Sequence, residues 1–439
     1  MTGQVFARSV STASAAVAPP FWLSRRSIES RARIRLLAVV LVGVTFLQRF
    51  AVPGTGEIVG VGFALGFAMT VLGLGLAVLC IDPKRLVLYA LAMSGLLLTM
   101  LIKSSPYSVS SFAMLAVLYL PFIAMFTVSA DEYRRGLNML QQIMALLAIA
   151  GLLQLAVQVV GGPDWAFPLD GILPEQAFIS KYNLRIPISG LPYLKSTGFV
   201  FLEPSLFSQF LAFSILIELL YFRRLARLAL LGSAYLTTFS GTGAVLLLAV
   251  SVPLILRRRQ YGLLLPIAFA IVLSPWLQDV PPFSVFFGRL DEFSAPQSSG
   301  SMRFFGPYHA INDLLLGHPT ALLFGYGPGT SDTMSWLLDY EVLNPSWLKL
   351  LLEYGMIGAV SFMPLYLYVL FAQSPDRLLS FACLVQFLLL GGYLNSFYVQ
   401  FFCLVLVGWP RVAAPALTPL QPNGSTDGPR PLRLEPEGA

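Results

Sequence analysis

The sequence predicts an all-α polytopic membrane protein, a bundle of about twelve transmembrane helices. Three observations support this prediction. Hydrophobic residues make up 56% of the chain and charged residues only 11%, whereas a soluble domain carries about 25% charged residues. The mean hydropathy is +0.74. The apolar runs are continuous over about 20 residues, as spanning helices require, and do not alternate over about 10 residues like the strands of an outer-membrane barrel.

The predicted helices occupy most of the chain between residues 35 and 411, and their ends are approximate. The segment 1–34 before them is basic and lacks a clear cleavage site, so we interpret the first apolar run as a retained anchor. The segment 412–439 after them is rich in Pro and Gly, which indicates a disordered tail. The helices span residues 35–52, 57–81, 85–103, 111–129, 137–160, 199–221, 226–240, 242–256, 261–276, 346–372, 377–394 and 395–411.

Basic residues cluster before the first predicted helix and after every second one, so all clusters fall on one side of the membrane. The positive-inside rule places that side, with both termini, in the cytoplasm of a bacterial inner membrane. Two long loops, 161–198 and 277–343, then face the periplasm. The net charge of +6 is explained by these topology-determining clusters and does not indicate nucleic-acid binding. The clusters are Arg25, Arg26, Arg31, Arg33 and Arg35; Lys84 and Arg85; Arg134 and Arg135; Arg223, Arg224 and Arg227; Arg257, Arg258 and Arg259; Arg377; and Arg411.

The cysteines give no sign of a disulfide framework or a metal site. Cys80, Cys383 and Cys403 all lie in apolar runs, where cysteine is usually a small core residue. The sequence has no CxxC or HExxH motif and no acidic cluster with metal-ligand spacing. We expect no metal and no cofactor.

Glu203 is the first candidate for chemistry. It stands where the first long loop enters the sixth predicted helix, directly before Pro204, which is tolerated at a helix start. One interpretation is a simple helix-start acid beside the positive end of the helix dipole. The other interpretation is a general base, or a group that accepts a hydrogen bond from a sugar hydroxyl. A charged side chain close to the membrane interior is energetically costly and is therefore a candidate for function.

Arg303 is the second candidate. It lies in the acidic second loop, where its planar guanidinium is suited to binding the oxygens of a pyrophosphate. The alternative is an ion pair with a neighbour such as Asp313. Arg289 and Arg185 are weaker versions of the same idea, and Lys195 is a further candidate for substrate binding.

The remaining polar candidates have plausible structural roles as well. His309 is a candidate proton shuttle, whereas His318 precedes a proline and is typical of a loop. Lys349 and Glu353 are four residues apart on a predicted helix and either form a structural ion pair or contact substrate. Tyr326 lies in a Gly-rich turn whose backbone amides either approach an anion or simply reverse the chain.

Four short patterns, taken in order, resemble the Wzy / O-antigen ligase superfamily of bacterial cell-surface polysaccharide enzymes. The similarity covers most of the membrane region, and the predicted layout of twelve helices with two long outer loops is similar too. The patterns are Gly198-x4-Glu203-Pro204-Ser205; Ser240-Gly241-Thr242-Gly243; Arg303 with a following helix that ends at His318-Pro319-x4-Phe324-Gly325-x-Gly327; and Asn344 followed by Leu348, Glu353-x-Gly355 and Gly358.

The resemblance implies a glycosyltransferase fold of the membrane-embedded C type. It also implies transfer of a glycan from an undecaprenyl-pyrophosphate carrier at the periplasmic face, without a nucleotide sugar or an essential metal. Arg303 would then hold the pyrophosphate leaving group, and Glu203 would orient or deprotonate the acceptor hydroxyl. A chain-length regulator is the protein partner to expect, and nucleic acid is not.

The chain departs from the family pattern at two positions. Asn344-Pro345 stands where ligases usually have a histidine, which favours a polymerase while keeping Asn344 as a substrate-binding candidate. Gly241 stands where an arginine is frequent. We therefore expect an O-antigen, capsule or exopolysaccharide polymerase, with xanthan-type enzymes as one subgroup. A ligase is the near alternative, and a lipid-oligosaccharide flippase or a structural scaffold are alternatives of other classes.

Overall fold

The computed structural model of the chain describes residues 21–52, 59–102, 107–179, 182, 184–188, 190–258, 276 and 298–412. These residues are mostly helical, with one small sheet. The segments 1–20 and 413–439 and nearly all of the predicted helix 261–276 lie outside the described residues.

The first half of the described chain is a series of apolar helices. The 3-10 turn Leu120–Ile123 follows α4, and the π-helical turn Glu218–Phe222 extends α6. The described residues of the first long loop include 3-10 turns at Pro163–Ala166, Pro168–Gly171 and Glu175–Ala177. The helices are α1 (Phe21–Phe46), α2 (Val61–Gly75), α3 (Pro83–Ile102), α4 (Val109–Tyr119), α5 (Ala130–Gly161), α6 (Pro204–Ile217), α7 (Leu225–Thr237) and α8 (Gly241–Arg258).

The second half begins with short helices in the second long loop, where the sequence predicted only a helix between Arg303 and His318. Three apolar helices follow them. Two of these, α13 and α15, continue into π-helical turns at Tyr368–Ala372 and Leu404–Gly408. The helices are α9 (Ser299–Phe304), α10 (Gly306–Ile311), α11 (Pro319–Phe324), α12 (Ser331–Ser335), α13 (Ser346–Leu367), α14 (Arg377–Leu389) and α15 (Phe397–Cys403).

Among the described residues, four helical segments are long and apolar enough to cross a membrane: Pro83–Ile102, Ala130–Gly161, Pro204–Phe222 and Ser346–Ala372. Six shorter apolar helical segments accompany them. The prediction of a helical chain with membrane-length apolar helices is therefore confirmed at this level. The number of twelve spans remains a prediction.

Several elements differ from their predicted form. The predicted helix 57–81 ends at Gly75, and its last two residues, Cys80 and Ile81, form a strand instead. The run 111–129 is not one helix, because Pro121, which lacks a backbone N–H, lies in the 3-10 turn after α4 and strand β2 (Ala124–Val128) follows it. Helix α5 begins at Ala130 rather than 137, because Ser129 and Glu132 form a reciprocal capping box. Helix α1 begins at Phe21 rather than 35, and its polar first half includes an ion pair of 3.5 Å between Arg33 and Glu29.

A small sheet marks one end of the bundle. Strand β2 pairs antiparallel with β1 (Cys80–Ile81) and parallel with β3 (Pro410–Val412). The buried guanidinium of Arg85 donates from Nη1 to the carbonyls of Ala124 and Gly408, each at 2.8 Å. Cys80, expected in the core, is exposed because it lies in β1 at this end.

The opposite end is formed around an interruption of α13. Gly355 there has φ +64°, and Gly325 in the preceding turn has φ +73°. The backbone N–H of Tyr326 donates to the carbonyl of Leu352 (2.6 Å), and that of Gly327 to the carbonyl of Glu353 (2.9 Å). The turn is thus docked into the kink, where its amides satisfy helix carbonyls.

Both glycines in this contact lack room for a side chain. A Cβ on Gly355 would lie 2.4 Å from the carbonyl carbon of Leu323, and one on Gly325 would lie 2.4 Å from that of Glu353. A small apolar cluster packs beneath the turn. It is made by α10, the π-helical turn Asn312–Leu316 that follows it, α11 and α13. Its buried members are Ala310, Leu314, Leu315, Ala321, Leu348 and Leu352.

We expect Gly355→Ala to destabilise the protein by at least about 1–3 kcal/mol, because the position combines a positive φ with backbone contact. The measurement is thermal unfolding of the detergent-solubilised protein. Gly317→Ala is the matched control, since Gly317 has φ −75° and no atom within 4 Å of its Cβ position. Equal unfolding temperatures for the two variants would contradict this account.

Candidate functional site

At the end of the bundle opposite to the sheet, residues from distant parts of the chain line one cavity of 310 Å³. We call it the central cavity. Its lining includes Glu203 from the start of α6 and Arg303 from the last turn of α9. Asn344, just before α13, and Lys349, in the first turn of α13, also line it. The turn between α14 and α15 contributes Tyr393. Four predicted site residues are therefore brought together.

Glu203 is held at the edge of the cavity by the start of α6. It is the N-cap residue, with extended backbone (φ −146°, ψ 152°), and Pro204 occupies the first helical position. Its side chain does not cap the helix. Instead, Oε2 accepts a hydrogen bond of 2.8 Å from Ser205 Oγ, and the residue is half-buried. In the described chain no cation pairs with this carboxylate, so it is able to accept a further hydrogen bond.

The Ser240–Gly243 turn supports this helix start. Thr242 Oγ1 donates to the carbonyl of Ser205 at 3.1 Å and lies 3.0 Å from Ser208 Oγ. A Cβ on Gly243 would lie 2.6 Å from the carbonyl oxygen of Ser208. The close approach of α8 to α6 at this point therefore requires glycine, and it fixes the segment that carries Glu203.

Arg303 enters the cavity without a carboxylate partner among the described residues. It is half-buried, and its Nε atom is buried with no hydrogen-bond partner in the part of the chain that the structure describes. The proposed ion-pair partner, Asp313, instead accepts a hydrogen bond of 2.7 Å from Tyr340. Burial, and then this hydrogen bond, raise the pKa of Tyr340. The guanidinium of Arg303 is thus suited to binding an external anion.

Lys349 adds a second positive charge to the cavity wall. Its Nζ lies 3.7 Å from Oε1 of Glu353, one turn further along α13. Glu353 is fully buried behind it, and Ser331 Oγ donates to the same carboxylate oxygen at 2.8 Å. Glu353 does not line the cavity, so within the described structure it contacts Lys349 rather than a substrate.

Asn344 and three tyrosines complete the polar wall. Asn344 Nδ2 donates to Ser335 Oγ at 2.8 Å, and its Oδ1 is buried with no partner among the described residues. The phenol of Tyr393 lies 2.7 Å from Gln209 Nε2, and that of Tyr398 bonds to that of Tyr182.

The phenol of Tyr182 is a neutral group in this wall. Tyr182 is 39% exposed overall, yet crowding around its phenol raises the pKa. The hydrogen bond from Tyr398 opposes this rise, and the nearby charge of Glu203 adds to it.

The other predicted site residues lie elsewhere. Tyr326 donates its hydroxyl to the carbonyl of Leu314 and packs on the small apolar cluster. His309 is exposed, with its ring 5.9 Å from that of Tyr340. Lys195 is buried and does not line the central cavity.

Arg185 lines a neighbouring cavity and pairs with Asp170 at 3.4 Å. Arg289 lies outside the described residues.

The turn between the last two apolar helices contributes to the cavity, which was not predicted from the sequence. The segment Gly391-Gly392-Tyr393-Leu394-Asn395-Ser396 interrupts a long apolar run, and that polar interruption could have indicated it. Ser346 ties α13 to this turn: Ser346 Oγ accepts a hydrogen bond of 2.8 Å from the N–H of Tyr393. Asp332, also missed, lines the cavity as well.

Within the described ranges, no group of three or more His, Cys, Asp and Glu side chains could hold a metal ion. Comparison with models of known protein families gives no match, and comparison with curated proteins gives none either.

The interaction between the Lys349 and Glu353 side chains can be measured. We expect Lys349→Met to lower stability more than the double variant Lys349→Met/Glu353→Gln does, because the single change leaves a buried carboxylate without its cation. The expected coupling is on the order of 1 kcal/mol. A double-mutant cycle on denaturant unfolding measures it, and strictly additive effects would show that the two side chains do not interact.

Proposed function

We propose that the chain is a polysaccharide polymerase of the bacterial inner membrane. It would join lipid-linked oligosaccharide repeats into a surface or secreted polysaccharide. The single observation that supports this best is the meeting of Glu203 and Arg303 in one cavity, although the two residues are far apart in sequence. These are the two residues for which the resemblance to the Wzy / O-antigen ligase superfamily implies roles in glycan transfer.

The distribution of charge supports a cavity that faces the periplasm. Arg85 and Arg411 lie at the sheet end, opposite to the central cavity. These basic residues belong to the clusters that the positive-inside rule assigns to the cytoplasm. The twelve predicted spans and the two long outer loops are part of this proposal.

The proposed reaction follows from the charges in the cavity. The acceptor hydroxyl of one repeat hydrogen-bonds to the Glu203 carboxylate, which takes its proton as the oxygen attacks the anomeric carbon of the donor sugar. The bond between that carbon and the pyrophosphate oxygen breaks. Arg303 and Lys349 offset the negative charge that develops on the leaving pyrophosphate. The products are a longer glycan on the acceptor carrier and free undecaprenyl pyrophosphate, which finally receives the proton.

Neutral donors and acceptors would orient the sugars. Tyr182 and Tyr393 present phenols to the cavity, and Asn344 presents its amide. The absence of a histidine at Asn344-Pro345 favours a polymerase over a ligase.

The test is a deletion strain complemented with wild type, Arg303→Ala or Glu203→Gln. We expect each variant to reduce long polymer at least about 100-fold, since each removes charge stabilisation or proton transfer at the reacting bond. Single repeats should remain on the lipid carrier at the outer face. Gel analysis of polymer length and of extracted carrier lipids measures both.

The matched control is His309→Ala, which changes an exposed residue of the same segment outside the cavity and should keep full polymer. Long polymer accumulating on the carrier would indicate a ligase, and repeats trapped in the cytoplasmic leaflet a flippase. Full activity of a well-expressed Arg303→Ala variant would exclude its assigned role.

A further inference from the structure

A second cavity, of 500 Å³, lies beside the central one. We call it the Arg49 cavity. Its lining includes Arg49, Asp170, Glu175, Phe178 and Arg185.

The two cavities adjoin through shared walls. Tyr182 lines both of them, and Leu202, the residue before Glu203, lines the Arg49 cavity. Neither Arg303 nor Lys349 does.

The Arg49 cavity is built around a buried arginine that the sequence had placed inside the first span. Arg49 is 4% exposed and follows the end of α1. Its Nη1 donates to the carbonyl of Phe199 at 2.9 Å, its Nη2 pairs with Asp170, and its guanidinium lies 4.7 Å from the ring centroid of Phe178. These contacts fix its orientation.

Backbone hydrogen bonds hold the first long loop against the end of α1. The N–H of Ile179 donates to the carbonyl of Arg49 at 2.8 Å, and the N–H of Ala51 donates to that of Ala177 at 2.9 Å. The cavity is therefore a preformed part of the fold, which favours ligand binding without a large ordering cost.

The charges in this cavity balance. Asp170 pairs with Arg49 and, at 3.4 Å, with Arg185, and Glu175 supplies a second carboxylate. Both cations of this cavity pair with Asp170, whereas Arg303 has no carboxylate partner among the described residues, so this cavity is less suited to a pyrophosphate than the central cavity. The Arg49 cavity suits a neutral group rich in hydroxyls, because arginines donate and carboxylates accept hydrogen bonds at fixed positions.

Aromatic surface completes the match to a sugar. Phe178 and Tyr182 contribute aromatic surface to the cavity lining. The C–H face of a pyranose ring packs against aromatic surface such as that of Tyr182, while its hydroxyls reach the charged groups. A pocket with apolar walls and a few fixed polar groups is the usual form of a small-molecule site.

We propose that the Arg49 cavity binds the sugars of the acceptor repeat and directs their terminal hydroxyl to Glu203. The identification of the bound oligosaccharide as the acceptor rests on the proposed function. The binding of an oligosaccharide to this cavity is testable on its own. We assign this cavity to the acceptor because Leu202 and Tyr182 connect it to the position of Glu203. The two cations of the central cavity, Arg303 and Lys349, do not line it.

The experiment measures binding of oligosaccharides released by mild acid from the surface polysaccharide of the source organism. The full chain is used in detergent, with saturation-transfer NMR or calorimetry as the readout. We expect the wild type to bind and Arg185→Ala and Glu175→Gln each to weaken binding about 10-fold, since each removes a charged hydrogen-bonding group. Both residues are exposed, so the variants should fold.

Asp164→Asn and Arg135→Ala are matched controls, because they remove exposed charges that do not line the cavity, and both should bind like wild type. Absence of binding to the wild type, or unchanged binding by Arg185→Ala and Glu175→Gln, would overturn the inference. So would displacement of the oligosaccharide by inorganic pyrophosphate in the Arg303→Ala variant, because that would indicate an anion site.

The Arg303→Ala variant separates this inference from the proposed function. It should lose polymerisation and still bind the oligosaccharide with the affinity of wild type. If it polymerises normally, the proposed function fails while the binding result stands. If it loses oligosaccharide binding as well, the separate Arg49 cavity is not the binding site.

Discussion

The candidate site depends on the docking of one turn into one helix kink. Because α13 is interrupted at Gly355, the carbonyls of Leu352 and Glu353 accept hydrogen bonds from the turn that begins at Gly325. This contact joins the short helices of the second long loop to a membrane-length helix. It thereby fixes the segment that carries Arg303 against the helix that carries Lys349. Both glycines combine a positive φ with contact to backbone, so no other residue fits there without strain.

Burial decides what each polar group in this region can do. Glu353 is enclosed with Ser331 and Lys349, and it positions the lysine instead of facing the cavity. Glu203 has only the hydroxyl of Ser205 as a described side-chain partner. Arg303 has no described carboxylate partner. A carboxylate and a guanidinium that both lack an ion-pair partner among the described residues are an arrangement that stability alone does not favour, which is why we propose that they contact substrate.

The sequence predicted the class of fold and the main candidates because both depend on composition. In a chain with 11% charged residues, a charge outside the basic clusters is conspicuous, and Glu203 and Arg303 were found in that way. The strand after α4 was missed because a short run of apolar residues is compatible with either a helix or a strand. Arg49 was missed because its partner Asp170 is 121 residues away and local patterns do not reveal such pairs. Tyr393 was missed for the same reason, because its place in the cavity wall depends on packing against Gln209, which is 184 residues away.

The central claim is that Glu203 and Arg303 together join two lipid-linked repeats. Its most direct test uses the purified protein in liposomes, with the undecaprenyl-pyrophosphate-linked repeat as the sole glycan. The account predicts a ladder of longer lipid-linked glycans, with one undecaprenyl pyrophosphate released for each new linkage. The absence of a ladder, or product only when a separate non-lipid-linked acceptor is added, would contradict it.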